Sequence, residues 1–201
     1  MATATPEVRT PAVAEGAASW WRPPLGEVLF AALLFWVLVG GQPRALLADG
    51  DTGWHIRTGE YVLGERRVPT EDPYSFTRRG EPWFAWEWGS DVLLALVHRA
   101  AGLKGVVLLA GILIAATSAV LFEFLLWQRV NLVVAVVASM MAASASMVHW
   151  LARPHLFTCL LFVVSLWLLE ADRRNPSRQV WAVVPLAALW ANLHGGFAVL
   201  L

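Results

Sequence analysis

The chain has 201 residues, of which 58% are hydrophobic and only 15% are charged, and its mean hydropathy is +0.57. The formal net charge is zero, so the composition excludes a strong electrostatic attraction to nucleic acid. The single cysteine, Cys159, excludes an internal disulfide. Long uncharged stretches of this kind are typical of membrane proteins, because a soluble domain of this length does not need so much apolar surface.

Residues 1–24 are rich in Ala, Thr, Pro and Glu and have no apolar core, which predicts a disordered cytoplasmic tail. The remainder, 25–201, predicts an all-α transmembrane domain, a polytopic helical bundle. A helix needs about 20 apolar residues to cross a hydrocarbon core that is roughly 30 Å thick. Five stretches qualify, at about 25–47, 103–127, 132–150, 154–169 and 180–201. Most of the twelve tryptophans lie where an apolar run meets polar sequence, as expected of an interfacial aromatic belt.

The fifth stretch is still apolar where the sequence stops at Leu201. We therefore expect the chain to be the N-terminal part of a longer protein, truncated at its C-terminal end. A complete five-helix protein with a buried C-terminus is the alternative.

The distribution of arginines predicts the orientation of the chain in an inner (plasma) membrane. Positively charged residues concentrate in short cytoplasmic segments. The tail and the links after the second and fourth stretches carry Arg9, Arg22, Arg129, Arg173, Arg174 and Arg178, whereas the short link after the third carries only Arg153. The N-terminus is thus expected in the cytoplasm, and the link at Arg153 on the outer face.

A long polar segment, 48–102, then becomes an outer loop. Its parts at about 51–63 and 86–101 have helical apolar patterns but are too short and too charged to span, which indicates two helices lying in the membrane interface. Pro69, Pro73, Gly80 and Pro82 interrupt the backbone between them.

Two aspartates stand at the outer end of the first stretch. Asp49 and Asp51 flank Gly50, and two carboxylates at this spacing can share a divalent cation, or one can act as a base while the other tunes it. Helix capping and solvation at a membrane exit are the alternative explanation.

A second acidic pair begins the second interfacial helix. Glu87 and Asp91 are four residues apart and share a helix face. Acids are also favoured there by the helix dipole, which is a sufficient structural reason for them. The neighbouring Trp86 and Trp88 suit either stacking on a sugar or the lipid interface.

The remaining candidates lie at the ends of later stretches. Arg153 and His155 sit at an outer turn, where arginine can bind a phosphate with its fork of donors or simply reach the lipid headgroups. Asn192 and His194 are polar residues within an apolar helix, where they indicate a binding site or an interhelical hydrogen bond. The five histidines have no spacing typical of a metal site, so no metal ligands are assigned.

The first outer loop resembles that of uncharacterised bacterial members of the GT-C superfamily of membrane glycosyltransferases. The resemblance rests on the acidic motif after the first helix, on two interfacial helices in the loop, and on three short stretches. These are Asp51-Thr52-Gly53-Trp54-His55-Ile56-Arg57-Thr58-Gly59-Glu60, Val68-Pro69-Thr70-Glu71-Asp72-Pro73-Tyr74-Ser75-Phe76 and Glu87-Trp88.

The resemblance implies transfer of a sugar from a polyprenyl-phosphate donor to an acceptor on the outer face. Asp49 or Asp51 would match the family's acidic residue, which acts as a base on the acceptor or positions it with a metal. Glu87 would assist that aspartate or a divalent cation such as Mg²⁺ or Mn²⁺. Arg153 and His155 would stabilise the leaving phosphate, and the further substrate-binding candidates are His55, Asn192 and His194. The membrane and the lipid-linked donor are the expected partners, nucleic acid is not, and the oligomeric state is left open.

Two other functions remain open from the sequence. A transporter or flippase for a lipid-linked solute would use Asn192 and His194 in a broken fifth helix as a midplane site. A non-catalytic membrane assembly subunit would use the Trp-rich loop to dock a partner.

Overall fold

The computed structural model of the chain describes residues 25–41 and 43–200. Its α-helices are α1 (Leu25–Phe35), α2 (Asp51–Glu65), α3 (Trp88–Trp127), α4 (Leu132–Ser146), α5 (His155–Arg174) and α6 (Val183–Leu193). In this part of the chain the regular structure is helical apart from one isolated antiparallel bridge between Glu71 and Pro82, which confirms the all-α prediction. The predicted tail at 1–24 lies outside the described residues.

Among the described residues, three segments are long and apolar enough to cross a membrane. They are α3, the segment Leu132–His149 made of α4 and the 3₁₀ turn after it, and α5. The first apolar helix is shorter, Leu25–Gly40, because α1 continues for one π-helical turn and stops at Gly40 and Gly41. Proline lacks the backbone N–H that a helix needs, so Pro43 starts a separate 3₁₀ turn, Pro43–Leu47, inside the stretch predicted as one span.

α3 is the central helix and packs against α1, α2, α4, α5 and α6. Its 40 residues join the second predicted interfacial helix to the second predicted span. Gly102 stands at the junction with φ of 62°, a left-handed conformation that glycine adopts without the cost of a side chain, and it kinks the helix there. Beyond the kink, Val106, Ala110 and Ile114 are buried in the core of the bundle.

The stretch predicted as a fifth span is not one continuous helix. It consists of a 3₁₀ turn (Arg178–Ala182), the 11-residue α6 and a second 3₁₀ turn (Gly195–Leu200). Between the last two, His194 is extended, with φ of −168° and ψ of 150°. The glycines that follow, Gly195 and Gly196, favour such a break because glycine is poor at continuing a helix.

The arginines of the links predicted to be cytoplasmic lie at one end of the bundle. The Arg174 guanidinium stacks over the Trp127 ring at 4.3 Å, which brings the ends of α5 and α3 together. The start of α1 is at the same end, because the Gly26 N–H donates to Glu123 Oε1 at 2.8 Å. The opposite end holds the exit of α1, helix α2, the start of α5 and the end of α6, and every candidate site residue is found there.

Candidate functional site

The two aspartates at the exit of α1 are bridged by one arginine. Arg153 Nη1 lies 2.7 Å from Asp49 Oδ2, and Arg153 Nη2 lies 2.5 Å from Asp51 Oδ2. Asp49 also accepts the backbone N–H of Asp51 at 3.0 Å, across the tight turn at Gly50 that begins α2. The sequence placed these three residues on the same face, and the structure adds that the guanidinium fork holds both carboxylates at once.

The turn that carries Arg153 is joined to the 3₁₀ turn Pro43–Leu47 and to α2 by hydrogen bonds to its own main chain. The Ala152 N–H donates to the carbonyl of Leu46 at 2.7 Å, and the Thr52 hydroxyl donates to the carbonyl of Ala152 at 3.2 Å. Ala152 and Thr52 are both buried, so these bonds are shielded from water. The position of the guanidinium is therefore set by main-chain contacts as well as by its ion pairs.

These contacts stabilise the ionised form of Asp49. The backbone N–H of Asp51, and the charge and hydrogen bonds of Arg153, hold the pKa of Asp49 below its ordinary value. A carboxylate stabilised in this way is a weaker base. Asp49 is an anion whose main partner in this structure is the arginine.

The divalent cation expected from the resemblance does not fit this arrangement. Mg²⁺ and Mn²⁺ need several oxygen ligands, and both carboxylates here face a guanidinium whose positive charge would repel the ion. Over residues 25–41 and 43–200, no group of three or more His, Cys, Asp or Glu side chains is placed to hold a metal ion. This arrangement therefore supports no step through a bound cation.

A second group of charged side chains centres on His55. Its Nδ1 lies 2.7 Å from Asp91 Oδ1, and its Nε2 lies 3.8 Å from Glu87 Oε2. His55 and Asp91 are both buried, on α2 and α3 respectively. Gly59, one turn after His55, lets α2 approach the backbone carbonyl of Asp91 closely enough that any side chain there would overlap it.

Glu87 lies between two histidines. Its Oε2 faces His55, and its Oε1 lies 3.4 Å from His194 Nε2. Burial raises the pKa of the Glu87 carboxyl above its ordinary value; the nearby His55 and Arg153 oppose this increase, and Asp91 adds to it. The charge of Arg153 therefore reaches Glu87, which places the arginine group beside the histidine group.

His194 is held from its other side by a hydrogen-bonded chain. The Trp190 indole N–H donates to Thr158 Oγ1 at 2.7 Å, and Thr158 Oγ1 lies 2.8 Å from His194 Nδ1. The Gly196 N–H donates to the same His194 Nδ1 at 3.1 Å. Thr158, on α5, was not predicted as a site residue, because a single threonine in an apolar stretch carries no signal of its own.

Asn192 supports the beginning of α3. Its Oδ1 accepts the indole N–H of Trp88 at 2.8 Å, and the Ser90 hydroxyl donates to the carbonyl of Leu193 at 2.6 Å. At Gly89 an added Cβ would lie only 2.7 Å from the Asn192 carbonyl oxygen, so glycine is needed for this close approach. These contacts indicate a structural role for Asn192 beside the site, and they tie Trp88 to protein rather than to lipid.

His155 lies near the group but is committed to its own turn. Its Nε2 is 2.5 Å from the carbonyl oxygen of His149, so that nitrogen carries the proton and donates it. The two imidazole rings are 5.9 Å apart. The ring of His155 therefore braces the turn beside Arg153.

The structure thus brings the predicted residues to one end of the bundle in two linked groups. Asp49, Asp51 and Arg153 form the first, and His55, Glu87 and His194 form the second, with Asn192 and His155 at their edges. Asp91 is an additional member. Its spacing from Glu87 indicated a shared helix face, but its contact with His55 depends on how α2 docks on α3.

No known family, no curated protein and no solved structure matches this chain.

Proposed function

We propose that the chain is a membrane glycosyltransferase of the GT-C type, which transfers a sugar from a polyprenyl-phosphate donor to an acceptor on the outer face of the membrane. One observation carries the proposal. A one-third-exposed arginine, four carboxylates and two histidines from separate segments converge at one end of an apolar helical bundle. A lipid-linked phosphate has one charged group at the end of an apolar chain, so Arg153 would bind the phosphate in exchange for its two aspartates while the apolar helices contact the lipid chain.

The proposed topology is five spans with the N-terminus in the cytoplasm of a cell with an inner (plasma) membrane. The arginines at the Trp127 end support a cytoplasmic position for that end, and the charged site then faces outward. Helix α2 and the part of α3 before Gly102 would be the interfacial helices. α1 and α6 are short for spans, so they would complete the crossing with the irregular turns attached to them.

In this proposal Arg153 receives the donor phosphate. The acceptor oxygen forms a bond to the anomeric carbon while the bond from that carbon to the phosphate oxygen breaks, and the electron pair leaves with the phosphate. Arg153 then neutralises the growing charge on the leaving group. Asp49 and Asp51 hold the guanidinium at the site until the phosphate competes for it. His155 and Asn192, predicted as substrate-binding residues, would instead support the structure around the site.

A transporter or flippase is the second candidate, favoured by the extended break at His194 after α6. Its substrate site would lie near the membrane midplane. His194 and Asn192 instead contact Glu87 and Trp88 at the end of the bundle, which supports the transferase over the transporter.

The test is transfer of a radiolabelled sugar in proteoliposomes that contain the intact protein. The donors are a panel of polyprenyl-phosphate hexoses and pentoses, and a membrane extract supplies the acceptor. Arg153→Gln should weaken donor binding at least about tenfold, because a hydrogen bond to a charged group contributes about 1.5–3 kcal/mol. Arg57→Gln is the matched control, since Arg57 is exposed and pairs only with Glu60, at 2.9 Å.

Label transfer that needs at least about tenfold more donor with Arg153→Gln than with the wild type and the Arg57 variant supports the proposal. Donor that crosses the bilayer with its sugar still attached would favour the flippase. If the wild type transfers no sugar from any donor in the panel, the proposed function is wrong.

A further inference from the structure

We propose that His55, oriented by Asp91, is the base that removes the proton from the acceptor hydroxyl, and that Glu87 and His194 stabilise the charge that this creates. The assignment rests on the proposed function. It replaces the expectation that Asp49 or Asp51 is the base, and it gives a role to Asp91, which the sequence analysis did not place among the catalytic residues.

The orientation of His55 follows from its contact with Asp91. A carboxylate only accepts hydrogen bonds, so the 2.7 Å contact places the proton of the neutral imidazole on Nδ1. The lone pair is then on Nε2, directed toward Glu87. The 3.8 Å distance from Nε2 to Glu87 Oε2 is too long for a hydrogen bond, so Nε2 has no hydrogen-bond partner among the described residues. An imidazole held by a carboxylate at one nitrogen and open at the other is the arrangement of a general base.

The aspartates are less suited to this role. Asp49 and Asp51 both lie against the Arg153 guanidinium, which occupies the carboxylate lone pairs that would take a proton. Their release would require the arginine to leave. The Arg153 guanidinium has to turn from the aspartates to the donor phosphate before either aspartate can accept a proton, whereas the lone pair of His55 Nε2 needs no such rearrangement.

Glu87 and His194 complete the arrangement. The Thr158 hydroxyl accepts from Trp190, so its own proton is free to point at His194 Nδ1, and the Gly196 N–H points there as well. The hydrogen-bond network thus assigns Nδ1 of His194 as an acceptor and places its proton on Nε2, 3.4 Å from Glu87 Oε1. Glu87 lies near that N–H on one side and faces His55 on the other.

The acceptor O–H bond breaks and its proton moves to His55 Nε2, while the oxygen bonds to the anomeric carbon and the lipid phosphate leaves with the electron pair. The imidazolium formed at His55 lies between the carboxylates of Asp91 and Glu87, which stabilise its charge. The proton then passes to Glu87 or to water. Asp49 and His194 are the other charged or titratable groups close enough to influence His55.

The test uses the same proteoliposome assay with the intact protein. His55→Ala should lower kcat by about 100- to 10,000-fold, the usual contribution of a general base, with little change in donor KM. Imidazole added to the buffer should restore part of the lost rate. His98→Ala is the matched control, because His98 is a partly exposed histidine 4.0 Å from Glu60 and outside the site.

Asp91→Asn separates a positioning role from a purely structural one. If the Asp91 carboxylate stabilises the imidazolium, its removal should move the acidic limb of the pH–rate profile to lower pH. Thermal unfolding in detergent checks that each variant is folded, and His55→Gln replaces His55→Ala if the smaller side chain prevents folding.

The outcomes distinguish the two proposals. Full turnover by His55→Ala beside an active wild type would overturn the assignment of the base and leave the proposed function intact. Lost activity with neither imidazole rescue nor a moved pH limb in Asp91→Asn would also overturn it. Absence of transfer by the wild type would overturn the proposed function, and this assignment with it.

Discussion

The contact between α2 and α3 at Gly59 is the most demanding packing point of the site. A Cβ added at Gly59 would overlap the backbone carbonyl of Asp91 and would lie 2.8 Å from the Cβ of Ala95. Both obstacles belong to short, rigid parts of α3 and cannot rotate away. Gly59→Ala must therefore move α2 as a whole, and α2 carries His55.

The size of this movement can be worked from the contacts. Ordinary van der Waals contact begins at 3.4 Å, so the Ala95 contact alone requires the two groups to separate by 0.6 Å, and the carbonyl requires more. A displacement of about 1 Å would stretch the 2.7 Å bond from His55 to Asp91 beyond hydrogen-bonding distance. Overpacking of this kind costs about 1–3 kcal/mol of folding free energy.

Gly64→Ala is the matched control on the same helix. An added Cβ at Gly64 meets nothing within 4 Å, so alanine should stabilise the helix by about 0.5–1 kcal/mol. We expect the free energies of unfolding in detergent, followed by circular dichroism, to differ between the two variants by about 1.5–4 kcal/mol. Sugar transfer should fall only in Gly59→Ala. Equal stability and equal activity of the two variants would refute the close docking of α2 on α3.

Three further predictions concern the neighbouring glycines, the acidic exit of α1 and the topology. Gly196→Ala should lower sugar transfer, because its Cβ would come within 2.5 Å of the Thr158 hydroxyl that contacts His194. Gly195→Ala is the control and should not lower it, because a Cβ there meets nothing within 4 Å. The pKa of Asp49 is lowered in the folded chain, so its carboxylate contributes stability above the ordinary aspartate pKa of 3.8 and loses it as the pH falls through the lowered value. The melting temperature of Asp49→Asn should hence lie below that of the wild type near neutral pH, and the gap should close in acid; a gap independent of pH would contradict the ion pair. In a cysteine-free background, a membrane-impermeant maleimide should label Phe76→Cys in intact cells but Ser177→Cys only after permeabilisation, and the reverse pattern would overturn the proposed orientation.

The sequence predicted the helices well where a single local pattern determined them. The start of α2 at Asp51 follows from the acidic turn at its N-terminus, and the stretch before Leu103 was predicted as a helix from its apolar stripe. The joining of that helix to the next span was missed, because a glycine between two helical patterns predicts a break more readily than a kink. Gly195 and Gly196 indicated the interruption of the fifth stretch near His194. They did not indicate that the α-helix in this stretch would have only 11 residues, with a 3₁₀ turn on each side.

The site was only partly predictable. Asp49 and Arg153 were identified from residue type and from their expected side of the membrane, yet their direct ion pair spans 104 residues. Asp91 was noted for its position on a helix face but not for its partner, His55. Thr158 was not noted at all, because its function depends on the neighbours Trp190 and His194.

The sequence by itself therefore determined that the chain is helical, with apolar runs long enough to cross a membrane and with acidic residues after the first of them, because run length and charge pattern act locally along the chain. Only the tertiary structure decided which charged groups meet. Gly59 has no side chain, so α2 can approach α3 closely enough for His55 to contact Asp91. Gly89 likewise lets α6 approach α3, and Asn192 then contacts Trp88. Such contacts join residues distant in sequence, and the distances between them depend on how closely the helices pack rather than on any local pattern.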